Sequence, residues 1–81
     1  MISRKTQARG EGRVNYEIAD RPPDYPEHVV VRRQTPGTTP LRGVGVTRHE
    51  SIEEARASLP HGLTNIGRDP HDDPFVIENW V

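Results

Sequence analysis

The chain contains no cysteine. That excludes disulfides and thiolate metal centres, two of the usual supports of a small domain. It is compatible with a reducing interior, and a cytoplasmic location is the expectation. Aromatic residues are scarce, with one Trp, two Tyr and one Phe, so the core is small and paired stacking platforms for bases are not available. No run of about 18 apolar residues occurs, which leaves nothing to span a bilayer as a helix. The segment from Met1 to Arg13 is basic but has no apolar centre, so it does not read as a secretory signal. Lysine is also nearly absent: Lys5 stands alone among ten arginines. The net charge of −1 argues against a global electrostatic pull toward nucleic acid.

The 81 residues fit one domain, and hydrophobic residues make up 31% of them. A scaffold of this size is expected to hold only about 3–5 kcal/mol of net stability. A partner or self-association into a homodimer would supplement it.

Residues 1–12 show no periodicity and read as a flexible basic N-terminal arm, leaving 13–81 as a single α+β domain. In Arg13 to Ala19, Val14, Tyr16 and Ile18 alternate with Asn15, Glu17 and Ala19, the period of a strand with one apolar face. Pro22, Pro23 and Pro26 then form a stiff connection. His28 to Arg33 is short and β-branched, a second strand with Val29 and Val31 inward. Thr35 to Pro40 is a turn cluster, and Leu41 to Arg48 reads as a third strand with Val44 and Val46 on one face.

The helix has the strongest local signature. Ser51 and Glu54 form a capping box, in which the hydroxyl accepts from the Glu54 amide and the carboxylate reaches back to the Ser51 amide. Ile52, Ala55 and Leu59 make one apolar stripe, and Pro60 stops the helix. Leu63 to Gly67 reads as a weak fourth strand, and Phe75 to Val81 as a terminal one. The expected fold is a small antiparallel sheet of four to five strands, order β-β-β-α-β-β, with one short helix on one face.

One helix covers one face of a sheet. Strict alternation places Glu17, Val30, Arg32, Gly43, Gly45, Val76, Glu78 and Trp80 on the other face. Trp80 across Gly43 or Gly45 is a structural use of such an aromatic, and a docking patch is the functional one. The candidate partner-binding set is therefore Trp80, Val30, Val76, Arg32, Gly43 and Gly45. A free sheet edge offers a second route, strand addition.

Chemistry-bearing motifs are weak. His28, His49, His61 and His71 lack ligand spacing, and the loop Asp69 to Pro74 lacks the alternating carboxylates and glycine of a calcium loop. Glu53 and Glu54 diverge by about 100° on a helix and suit capping. Gly43-Val44-Gly45 lacks the third glycine and helix start of a phosphate loop. No catalytic residue, cofactor or metal site is assigned.

The expectation is a small non-enzymatic protein-binding module, an adaptor, inhibitor or accessory subunit. The alternative is a nucleic-acid-binding accessory protein that follows phosphates with Arg4, Lys5, Arg9, Arg13, Arg32, Arg33, Arg42 and Arg48.

Overall fold

In the computed structural model, residues 14–34 and 45–81 are described. They form strands β1 (Asn15–Asp20), β2 (Val29–Gln34) and β3 (Val46–His49), helix α1 (Ile52–Ala57) and strand β4 (Val76–Trp80). The strands make one antiparallel sheet in the order β3-β2-β1-β4. The described residues thus make a small α+β unit of one four-stranded sheet and one short helix. The arm at 1–12, the turn at 35–40, and Arg13, Leu41, Arg42, Gly43 and Val44 lie outside the described residues.

The helix forms where the capping signature stands. The Ser51 hydroxyl accepts from the Glu54 amide at 3.0 Å, with extended backbone at Ser51. The Glu54 carboxylate accepts from the Glu50 amide at 2.9 Å, one residue earlier than the Ser51 amide that the box anticipates. The helix ends at Ala57, and the Ser58 hydroxyl donates to the Ala55 carbonyl at 2.7 Å. Two turns cannot hold a helix alone. Ala55, fully buried with Ile18, Val29 and Val31, fixes it to the sheet, and Tyr16, Ile52, Leu59, Ile77 and Trp80 surround that core.

The register assigns the two faces. Tyr16, Ile18, Val29, Val31, Arg33, Thr47 and His49 share the helix face, by the pairs Tyr16–Arg33, Ile18–Val31, Val31–Thr47 and Val29–His49. Val46 pairs with Arg32 and so lies on the outer face, opposite to the simple alternation.

In β4 the alternation breaks. Ile18 pairs with Glu78, but Ala19 pairs with Val76, so Ile77 is an extra residue. This bulge lets Ile77 and Glu78 both point to the helix side. Ile77 packs on the core, and the Glu78 carboxylate takes two hydrogen bonds from Arg56 Nε at 3.1 Å each, with a further bond from Arg56 Nη2. Val76 and Asn79 then share the outer face, paired with Ala19 and Glu17.

Residues 63–67 add an extended segment to β4 rather than a fifth strand. Asn65 makes an isolated bridge to Trp80, flanked by Thr64–Val81 and Ile66–Asn79 backbone bonds of 2.7 to 3.0 Å.

Candidate functional site

The proposed docking patch on the outer face is not assembled. Val30 and Val76 are 0% and 1% exposed, on the face opposite α1. Trp80 pairs with Tyr16 and packs on the helix side, because the bulge at Ile77 shifts the alternation by one position. Its indole N–H donates to the Glu78 carboxylate at 2.9 Å. Nor does it cover Gly45, since β4 and β3 occupy opposite edges of the sheet.

Two loops tie down the outer face. Residues 21–28 close on themselves through Arg21–His28, Pro22–Tyr25 and Tyr25–His28 backbone bonds, and Pro22 is fully buried. The Arg48 guanidinium lies 5.9 Å from the Tyr25 ring centre. Arg32 holds both loops at once. Its guanidinium bonds Glu17 at 2.9 Å and Asp24 at 3.4 Å, and lies 3.7 Å from Asp73. Burial opposes the charge of Arg32, but the Glu17 hydrogen bond and the attraction of Glu17, Asp24 and Asp73 outweigh it and raise its pKa.

The loop around Asp69 to Pro74 is organised by its own carboxylates. Asp72 accepts from the Asp69 amide and from Asn79 Nδ2, Asp69 from the His71 amide, and Asp73 from the Phe75 amide, all at 2.8 to 3.0 Å. Asn79 also donates to the Gly67 carbonyl, and Arg68 to the carbonyls of Asp72, Asp73 and Val76. These bonds account for the density of polar residues there as loop architecture.

The nucleic-acid set is divided. Arg33 is on the helix face, whereas Arg32 and Arg48 are on the outer face, Arg32 neutralised by carboxylates and Arg48 over Tyr25. Arg4, Lys5, Arg9, Arg13 and Arg42 lie outside the described residues.

The sheet has two edges, and they differ. The outer edge of β4 is closed: segment 64–66 engages Asn79 and Val81, and the Arg68 guanidinium caps the Val76 carbonyl at 3.0 Å. The edge at β3 carries no further strand among the described residues. The Arg33 amide donates to the Gly45 carbonyl at 2.7 Å. The hydrogen-bonded pairs of this ladder are therefore Arg33–Gly45, Val31–Thr47 and Val29–His49. The N–H and C=O groups of Val46 and Arg48 consequently point outward.

A groove of about 410 Å³ runs beside this rim on the helix side. Tyr16 and Val31 line it from the sheet, Leu59 and Pro60 from beyond the helix, and Thr47 and His49 from β3. Gly45, just before β3, and Arg33, opposite it on β2, line its end. Gly45 has φ +70°, and a Cβ there would meet the Arg33 carbonyl oxygen at 3.1 Å. The missing side chain also leaves the path along which Arg33 runs toward the rim.

His49 joins β3 to the helix. Its Nε2 is 2.8 Å from the Thr47 hydroxyl and 3.4 Å from that of Ser58, and its Nδ1 is 3.6 Å from Glu54. This acid–imidazole–hydroxyl row resembles a nucleophile relay in outline. The Ser58 hydroxyl, however, gives its hydrogen to the Ala55 carbonyl. The row links β3 to both ends of the helix.

The groove escaped the sequence reading, apart from Gly45 and Arg33. A signal was present in Thr47 and His49, polar residues on the side of an edge strand that faces the helix. Such inward polar positions mark a margin that the core does not fill. Comparison with protein-family models, with curated proteins and with solved structures gives no match.

Proposed function

We propose that this chain is a non-enzymatic protein-binding module that docks a partner strand on the outer edge of β3. The observation that carries the reading is the asymmetry of the sheet's margins. α1 covers the middle of one broad face, the two loops are tied to the other by Arg32, and β4 is engaged along its outer edge. Among the described residues, the outward backbone groups of Val46 and Arg48 have no ladder partner, and a groove lies beside them. Strand addition draws its affinity from such main-chain bonds and its selectivity from adjacent pockets. The edge is short and carries Arg48 and His49, which discourages pairing between like copies.

A proline at position 48 tests this directly. It removes an outward N–H while leaving the ladder to β2 intact, which an edge strand tolerates. Arg48→Ala is the control, because it loses the contact with Tyr25 but keeps the amide. Proteins captured from native cells by the full chain and identified by mass spectrometry should be retained by Arg48→Ala and lost with Arg48→Pro. Equal capture by both variants would remove the edge as the docking element.

A further inference from the structure

We infer that the strand accepted at β3 is an acidic one, an extended polypeptide segment with a carboxylate set against Arg33 and an apolar side chain two positions away in the groove. The inference rests on the edge-docking reading and adds the chemistry of the partner.

Arg33 is exposed, and among the described residues it has no carboxylate partner. In contrast, Arg32 and Arg56 are each bound to a carboxylate. Arg33 lies beside the glycine of the rim, with its Nε 3.8 Å from the position of a Gly45 Cβ. It therefore stands where the side chain of an added residue opposite Gly45 would arrive. A carboxylate there gains a charge-assisted, planar match to the guanidinium.

Next comes spacing. Side chains on one face of a strand recur every second residue, about 7 Å apart. An acidic residue opposite Gly45 thus places the next groove-facing residue opposite Thr47. That position opens onto Tyr16, Val31 and Leu59, a surface suited to an aliphatic or aromatic side chain. The pattern is an acidic and an apolar residue at alternate positions, the acidic one first in a parallel added strand and second in an antiparallel one. A second copy of the chain is a poor occupant of the same rim, because it would bring its own Arg33, Arg48 and His49 against those of the first.

The test uses an array of capped octapeptides of β-branched residues in which two alternate positions are varied among Glu, Gln, Lys, Leu and Ala. Binding of the full chain is measured at low and at physiological salt. The expected result is selection of Glu at one varied position and Leu at the other, in the single order that the direction of the added strand sets. Arg33→Glu should weaken that peptide at least about fivefold and favour the Lys counterpart, and Arg48→Pro should abolish binding of either. Peptides that bind through the edge, are lost with Arg48→Pro and show no charge preference would overturn the acidic partner and leave the edge reading intact. Absence of any peptide binding, or binding unaffected by Arg48→Pro, would overturn both. A concentration-dependent dimer lost with Arg48→Pro would replace the acidic peptide with a second copy.

Discussion

Removing the Arg32 guanidinium should cost this protein most of its stability. Arg32→Met keeps the apolar stem and deletes the charge. Glu17, whose side chain is 7% exposed, is then left as a buried carboxylate without its cation, and Asp24 and Asp73 lose their anchor. Breaking a fully buried pair costs about 3–5 kcal/mol. Arg32 is 22% exposed, so the lower end, about 3 kcal/mol, applies. A domain of this size holds about 3–5 kcal/mol in total. With a urea slope of about 1 kcal/mol per molar, the midpoint should fall by about 3 M. Far-UV circular dichroism would then show a chain about half unfolded without denaturant at the lower end of that range, and one that melts at low urea at the upper end. The pair of substitutions Glu17→Met and Arg32→Met removes the stranded charge along with its partner and should recover at least about half of the loss. A single variant within about 0.5 kcal/mol of the parent would refute the view that Arg32 secures the outer face. A double variant no better than the single would refute the mechanism assigned to Glu17.

Trp80→Ala should destabilise the fold by about 2–3 kcal/mol in urea melts, because the indole packs on the helix-side core; a fully stable variant would place Trp80 on a free surface instead. Hydrogen bonding from Arg56, aided by the Trp80 indole and opposed by burial, holds the Glu78 carboxyl below its ordinary 4.5. A depressed folded pKa contributes stability that is complete above the unfolded value and is lost as pH falls through the folded one. Glu78→Gln should therefore flatten the decline in urea midpoint between about pH 5 and about pH 3, and an unchanged decline would contradict this. Gly45→Ala should cost about 1–2 kcal/mol, since its left-handed backbone disfavours a Cβ; a neutral result in thermal melts would show that the turn into β3 relaxes freely.

Much of this fold is legible from local pattern. Alternation at Tyr16 and Ile18, the β-branched run at Val29 to Val31 and the Ser51–Glu54 cap each specify an element through interactions within a few residues. The candidate site was less legible because its determinants are not local. One extra residue at Ile77 transfers Glu78 and Trp80 to the helix side, and a bulge leaves no mark in a hydrophobic pattern this short. Arg32 draws its carboxylate partners from β1 and from two separate loops, an arrangement that no local pattern announces. The proline-rich stretch at 22–26 reads as a connection, yet Pro22 is fully buried and Tyr25 receives Arg48. Which edge stays open depends on strand order, and that is decided by pairing across the whole chain.

Amide hydrogen exchange along β3, read residue by residue with and without the acidic octapeptide, tests the central claim most directly. In the free protein Thr47 and His49 should be protected by their bonds to β2, while Val46 and Arg48 exchange at nearly unhindered rates; the peptide should slow those two amides. Slow exchange at Val46 and Arg48 before any peptide is added, or a peptide footprint on the covered faces instead, would contradict it.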